Sequence, residues 1–492
     1  MSSASGSLGS GAVTAAGLAV QQGLAAVVGV IIARRLGRTA ETDGFFAAYG
    51  VFLVLALAAT AARTVLLPPL ARARGDGRLP AETAAYGLSL ALVAVPLLAV
   101  STLGNNALAG ALTGFDEGAA RATAAATLPW LVVAAVGQLY AGWAASALAA
   151  LDDYATAAFG YAAGSIIGLV FIIVRIGDDG IEAVAHGIAL NAAVCVAVPA
   201  VGLAFRFRSG ARSLPAARVE LGGLWARIGL VAVGVVFPLS LQAIYLICLP
   251  LAADEGVGTV TSLGYAYLAG SAVIAITVSA LALATSVPLT RTGLDPARVA
   301  RHVESSAWIG FVAVAATTGV MALAGGSLAE AVLGGTYGDH VGRELGRLMV
   351  ALSPWMLVTV GVVAAFPLAF VVGRGRALSA AALLVVAVNV PLAWLGDAAV
   401  GVYGLAAALA VSTGVGLLAV LRILGAARLA VPGLLAAAAV VTGLAVIAFL
   451  PPGLLLAPAP AAVCGAMLYA AALAVIRPAG LRSGWSYLRA LS

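Results

Sequence analysis

Three arginines stand where this sequence could do chemistry. Arg34 and Arg35 close an apolar run that begins at Val13, and Arg63 lies four residues before the end of the next run, 44–67. A guanidinium is planar, permanently charged and presents paired N–H donors that match a phosphate or a carboxylate. Inside a membrane such a group is costly and marks a candidate substrate or ion path. Around these charges, neutral polar side chains fall in or near apolar runs: Gln21, Gln22, Gln138, Asn191, Gln242, Tyr245, Tyr265, Tyr267 and Asn389. Buried amides usually join helices, at about 0.6 to 2 kcal/mol each. As a set they could also line a neutral cavity suited to sugar hydroxyls.

Other chemistry is poorly supported. Cys195, Cys248 and Cys464 lie far apart inside apolar runs without metal-ligand spacing, and read as packing residues. His186, His302 and His340 are equally scattered. No nucleophile, base and orienter set is recognisable, and there is no P-loop or dinucleotide motif. The chain is therefore expected not to be an enzyme and to need no cofactor or metal.

The elements that must position these residues follow from composition. Hydrophobic residues make up 63% of the chain and charged residues 9%, with mean hydropathy +1.09; an average soluble domain is about 25% charged. A helix needs roughly 20 apolar residues to cross a bilayer and satisfies its own backbone there. Fourteen such stretches are readable, near 13–33, 44–67, 84–103, 124–148, 155–175, 183–205, 224–250, 259–289, 301–323, 347–371, 377–395, 400–424, 430–450 and 455–476. Counting the long and Ala-rich runs differently lowers the number to twelve. The expected fold class is an all-α polytopic membrane protein.

All 26 cations are arginine. Arginine near span ends is retained on the cytoplasmic side. With the N-terminus inside, nineteen of them fall on cytoplasmic segments, among them Arg72, Arg74, Arg78, Arg206, Arg208 and Arg227. Seven remain outside: Arg34, Arg35, Arg38, Arg121, Arg175, Arg343 and Arg347, beside acidic loops such as Asp178–Asp179 and Asp254–Glu255. Both termini are expected in the cytoplasm. The basic pI of about 9.5 records this topology, and no soluble arginine cluster suggests nucleic acid. The expected organisation is a tail at 1–12, a six-helix bundle at 13–205, a cytoplasmic linker at 206–223, a second six-helix bundle at 224–424, two further helices within 425–476 and a cytoplasmic tail at 477–492.

The two halves echo one another weakly. Leu66-Leu67-Pro68-Pro69-Leu70-Ala71-Arg72 and Ser286-Val287-Pro288-Leu289-Thr290-Arg291 both put proline, leucine and arginine at a cytoplasmic exit. Gly187-Ile188-Ala189-Leu190 and Gly404-Leu405-Ala406-Ala407 open corresponding spans. Such echoes are the trace of a transporter built from parallel repeats.

Three patches carry a family resemblance. Ile32-Ala33-Arg34-Arg35-Leu36-Gly37 is followed by Thr42-Asp43-Gly44-Phe45-Phe46-Ala47-Ala48. Phe237-Pro238-Leu239-Ser240 with Gln242 precedes Gly258-Thr259-Val260-Thr261-Ser262-Leu263-Gly264-Tyr265-Ala266. Val388-Asn389-Val390-Pro391-Leu392 precedes Gly401-Val402-Tyr403-Gly404-Leu405-Ala406. In order along nearly the whole chain, these resemble the MurJ (MviN) family of lipid II flippases, within the multidrug/oligosaccharidyl-lipid/polysaccharide exporter superfamily. The resemblance implies a bacterial cytoplasmic-membrane protein whose two six-helix bundles rock around a central cavity. It also implies a lipid-tail groove on spans 13 and 14.

The chain departs from that family where charge matters. The first-helix Arg and Arg-Asp positions align with Gln22, Val28 and Gly29, and the second-helix cations with Ala56 and Leu57, leaving Arg63 close by. An arginine of the eighth helix is replaced by Tyr267 or Leu268. In helix 11 some relatives place an ion-coupling Asn and Asp; Asn389 matches the first, and Ala393 stands at the second. The substrate-binding candidates are thus Arg34, Arg35, Arg63, Gln22, Gln242, Tyr265 and Tyr267, with Asn389 a weak ion-coupling candidate. Arg63 either snorkels to the inner surface or meets a lipid diphosphate. Arg34 and Arg35 either pair with Glu41 or Asp43 or act on cargo at the outer mouth.

The resulting expectation is a flippase for a polyprenyl-diphosphate-linked saccharide, lipid II or a related envelope precursor, working by alternating access. Its partners would be that precursor, membrane lipids and cell-wall synthesis proteins. The alternatives are a cation-coupled small-molecule exporter of the same superfamily and a transport-inactive scaffold for cell-wall enzymes. Topology is testable first: cysteines substituted at Arg208 and Asp254 are expected to label from opposite sides of the membrane, and labelling from one side would overturn the orientation.

Overall fold

The computed structural model describes residues 23–114, 118–210, 221–279, 295–372 and 374–491. Regular structure among them is helical throughout. Helix α1 covers 23–36, followed by α2 (Ala40–Gly75), α3 (Leu79–Leu103), α4 (Asn105–Leu112), α5 (Ala119–Ala150), α6 (Tyr154–Asp179), α7 (Glu182–Gly210) and α8 (Leu221–Asp254). Then come α9 (Thr259–Ile274) with a π-turn at Ala275–Ser279, α10 (Pro296–Leu333), α11 (Asp339–Ala351), α12 (Ser353–Val371) and α13 (Leu378–Val400). The chain ends with α14 (Val402–Ile423), α15 (Ala427–Leu455), α16 (Pro458–Ile476) and α17 (Ala479–Leu491). Among the described residues 12 helices are long and apolar enough to cross a membrane, and the pair His340–Ala351 and Ser353–Ala369, bent by 43°, makes a thirteenth. The protein is an all-α polytopic membrane protein. The first part of the expected span 13–33 lies outside the described residues.

Local chemistry explains where helices begin. Thr39 and Thr42 form a reciprocal capping box, each hydroxyl accepting from the other's backbone N–H, at 3.3 and 2.8 Å. Asp153 accepts from the Thr156 N–H at 3.1 Å and opens α6. Asp295 accepts from the Arg298 N–H at 2.7 Å, just before Pro296 at the first position of α10.

Several expectations need correction. Helix α2 runs on past the Pro68-Pro69 exit to Gly75, 36 residues or about 54 Å, longer than the ~30 Å hydrocarbon core. Leu66 and Leu70, both fully buried, hold the helix in register on either side of the prolines. The span expected at 347–371 is broken: its straight part is α12, from Ser353. Its first residues belong to amphipathic α11, which buries Leu345, Leu348 and Met349 and exposes Arg343 and Arg347. The tail expected at 477–492 contains α17, whose Gly480 and Gly484 lie against Trp308 and Ser305 of α10. The eight-residue α4 fills what read as a loop.

The chain folds as two compact units, Met1–Ala253 and Asp254–Ser492. Helix α8, expected to open the second bundle at 224, lies in the first unit. There Gly50 of α2 leaves room for Leu249, whose Cδ1 a Cβ at position 50 would meet at 2.6 Å. In the first unit α5 is the spine, packed by α2, α3, α4 and α7, and α6 lies along α7. The α6–α7 seam is built without bulk. Gly160, Gly164 and Gly168, four residues apart on one face, meet Pro199, Asn191 with Cys195, and Gly187. Small residues at this spacing let backbones approach closely, which compensates for the weak hydrophobic drive between helices in lipid.

In the second unit α10 is the spine. Helices α11, α12, α15, α16 and α17 pack on it, while α13 and α14 form a hairpin and α12 lies on α14. Phe449 of α15 fills a notch left by Gly319 of α10 and Gly465 of α16.

The seam makes a direct prediction. A Cβ at position 168 would stand 2.6 Å from the Gly187 carbonyl oxygen, whereas one at 177 on the same helix meets nothing within 4 Å. Gly168→Ala is expected to destabilise the protein by about 1–3 kcal/mol and Gly177→Ala to be neutral or slightly stabilising. Thermal unfolding of the purified protein in detergent checks both; equal behaviour would refute the close seam.

Candidate functional site

The strongest candidate is Arg63. Four residues before Leu67, it sits about 6 Å inside the apolar run of α2. Its backbone is clamped by α5: the Ser146 hydroxyl donates to the Arg63 carbonyl at 3.3 Å, and Gly142 makes room for the Ala59 carbonyl one turn away. Its half-buried guanidinium lies over the Tyr161 ring of α6, 6.0 Å from the centroid. This is a cation–π contact, worth about 0.5–2 kcal/mol depending on desolvation. Ala61, Ala62, Ala145 and Tyr161 belong to the buried cluster beneath it. Among the described residues, the Arg63 side chain makes no ion pair.

Neighbouring arginines are treated differently. At the far end of α2, Arg74 donates to the Ala150 carbonyl and pairs with Asp152. Arg206 of α7 pairs with Asp153 at 2.9 Å. Arg227 of α8 grips Glu82 of α3 with two bonds, 3.0 and 2.7 Å, and covers the Tyr86 ring at 5.5 Å. Burial acts to raise the Asp153 carboxyl, but the Thr156 N–H and hydroxyl and the Arg206 guanidinium outweigh it and hold its pKa below the ordinary carboxylate value. These rim arginines are committed to structure.

The other candidates are dispersed. Arg34 and Arg35 end α1 as exposed side chains, and Gln242 is half-buried on α8. Gln22 lies outside the described residues. In the second unit Tyr265 meets Tyr337 edge-on at 5.7 Å and Tyr267 packs against Trp355 at 4.6 Å, so both are buried in aromatic contacts. Asn389 is wholly buried and donates to the Ser412 hydroxyl of α14 at 3.2 Å, with its carbonyl oxygen unpartnered. That is a link between helices, next to the equally buried Ala393. Among the described residues no group of acidic, histidine or cysteine side chains could hold a metal ion.

The sequence carries little local sign of the elbow between α13 and α14. The connection from α13 to α14 is the single residue Gly401, with φ of +63°, a conformation that side chains with a Cβ rarely adopt. Glu255 inserts its carboxylate into the space a Cβ there would take. Its carboxyl faces the Val402 N–H at the start of α14 and the carboxyl of Asp397 on α13. Only the contrast of two acidic residues bordering apolar runs hinted at it, and their separation in sequence hid the pairing.

Neither a family model nor a curated protein matches the chain. Solved structures do. A lipid II flippase MurJ in an inward closed conformation is similar over 94% of this chain and 98% of its own, with TM-score 0.71 and 12% identity. An inward-facing multidrug resistance MATE family transporter of the MOP superfamily is similar over 87% and 98%, with TM-score 0.63 and 15% identity. An outward-facing multidrug resistance MATE family transporter of the MOP superfamily is similar over 88% and 94%, with TM-score 0.57 and 15% identity. The chain thus shares the fold of the MurJ flippase and of MATE transporters.

The rim pairs predict a pH dependence. Because Asp153 is held below its ordinary pKa, its contribution is complete above about pH 4 and is lost as pH falls through the folded-state value. Asp153→Asn, which keeps a helix cap but loses the charge, is expected to cost about 1 kcal/mol near neutrality. The difference should shrink on acidification. Unfolding curves at several pH values check this, and a pH-independent difference would refute the assignment.

Proposed function

We propose that the protein is a membrane transporter that flips an anionic lipid-linked saccharide, of the polyprenyl-diphosphate class to which lipid II belongs, across a bacterial cytoplasmic membrane by alternating access. The observation that carries this reading is Arg63: a half-buried guanidinium inside an apolar helix, resting on Tyr161 and without a described counter-charge, whereas Arg74, Arg206 and Arg227 nearby are each paired with a carboxylate. A cation held in this way is available to a phosphate, which accepts its paired donors. The shared fold with a lipid II flippase supports the reading without fixing the substrate. Arg34 and Arg35 would meet the headgroup at the other end of the first unit. Gln22, Gln242, Tyr265 and Tyr267 remain candidates for the saccharide, the two tyrosines only if their aromatic contacts open. Asn389 would serve as a helix link more readily than as an ion ligand, since Ala393 supplies no carboxylate.

The likeness to MATE transporters keeps a second reading, a cation-coupled exporter of small amphipathic molecules. Such a device needs a carboxylate deep in the first unit. The described ones there, including Asp43, Glu82 and Asp153, stand at helix ends.

The test is growth rescue and outer-leaflet lipid II labelling in cells depleted of their own lipid II flippase, with membrane expression verified. Rescue is expected, and Arg63→Gln is expected to reduce labelling about 10- to 100-fold, the weight of a charge-assisted contact, with Arg63→Lys intermediate. Rescue with an unaffected Arg63→Gln would remove Arg63 from the mechanism. Failure by a well-expressed protein would overturn lipid II as substrate and favour another lipid-linked glycan or a scaffold role.

A further inference from the structure

The elbow between α13 and α14 holds two carboxyl groups in contact, and two carboxyls can share a hydrogen bond only if one keeps a proton. The surroundings add no described cation. Glu255 faces Asp397 of α13 and the Val402 N–H of α14, and senses Glu344 of α11; Asp254 lies next to it in the chain and acts on Asp397. The N–H is the one group in this set that favours a charged carboxylate. It sits at the N-terminus of a helix of 22 residues, where a carboxylate is stabilised. Beneath the elbow the two helices touch with no side chains between them: a Cβ on Gly396 would stand 2.6 Å from the Gly404 carbonyl oxygen. The elbow is therefore a tight hinge, closed by one acidic side chain from a different loop.

We propose that the loop following α8 is latched onto the α13–α14 elbow by a proton shared between Glu255 and Asp397, and that the latch opens when the proton leaves. With the proton present, Glu255 bridges Val402 and Asp397. Without it, two carboxylates oppose each other with Asp254 and Glu344 close by, and Glu255 swings out to water, on which side it is already exposed. Burial and the charge of Asp397 both raise the Glu255 pKa, partly offset by the Val402 N–H. The closed form thus binds more protons than the open form, so acid favours closure and closure is lost as pH rises through the folded-state value. The device concerns only the second unit and is independent of what the protein carries.

The experiment uses the full-length chain in lipid vesicles, with Cys195, Cys248 and Cys464 replaced by alanine and spin labels on cysteines substituted at Val257 and Val400, both exposed. Inter-label distances are measured from about pH 3.5 to about pH 8, from below the ordinary carboxylate values to above that of histidine. A short distance at low pH that lengthens or broadens at high pH is expected. Glu255→Gln, whose amide can donate to Asp397 while its oxygen accepts from Val402, is expected to hold the short distance at both ends. Asp397→Asn should do the same by donating to Glu255. A wild-type distance that does not change with pH, or the same change persisting in both amide variants, would overturn the latch. Because each variant keeps a bonded partner at the elbow, both are expected to elute as the wild type does, and distances are compared only on such material.

Discussion

A charge in hydrocarbon has nothing to solvate it except the protein, and this constraint orders the molecule. Only 9% of the chain is charged, and among the described residues most of these groups stand near a helix end, in a loop or on an amphipathic helix. Arg74, Arg206 and Arg227 illustrate the rule, each held by a carboxylate from another element. The pairs do more than neutralise: they fix α3 to α8 and α2 and α7 to the α5–α6 turn. Arg63 departs from the rule, and its aromatic partner compensates only in part. Among the described residues no acid matches it.

The same solvent removes the force that packs soluble cores, since lipid tails are as apolar as the side chains they replace. Contact must come from shape. The interior of the first unit is largely alanine around a few large residues, such as Leu66, Leu70, Tyr86 and Leu148, and glycines stand wherever backbones come closest. Phe449 in its notch between Gly319 and Gly465 is the counterpart in the second unit. Each is first a fit of size, and in the α6–α7 seam the Cys195 thiol adds a weak bond to the Gly160 carbonyl at 3.7 Å.

How much of this was legible in the sequence depended on whether the signal was local. The spans were readable because twenty consecutive apolar residues need no partner to identify them. The failures have the same cause reversed. Pro68-Pro69 marked the end of an apolar run and gave no sign that α2 continues beyond it, carried onward by buried leucines on each side. Arg343 and Arg347 looked like a loop and a span start, although a helical stripe places them on the exposed face of α11. At the site, Arg63 stood out by its charge alone, but the Tyr161 beneath it is nearly a hundred positions away and carried no signal. Tyr265 and Tyr267 were legible as polar groups in a span and illegible as aromatic partners of Tyr337 and Trp355. Glu255 and Asp397 meet only because the fold returns the chain to the same elbow.

The glycine seam between α6 and α7 bears on how such a protein changes over time. A position that requires only the absence of a side chain, opposite another that requires only smallness, can be met by many sequences. Residues facing lipid accept almost any apolar substitute. Selection then acts on a pattern of volumes, and letters drift freely beneath it. A backbone that agrees with that of a flippase at TM-score 0.71 while sharing 12% of its residues shows that one arrangement of helices can be built from very different letters when sizes are matched.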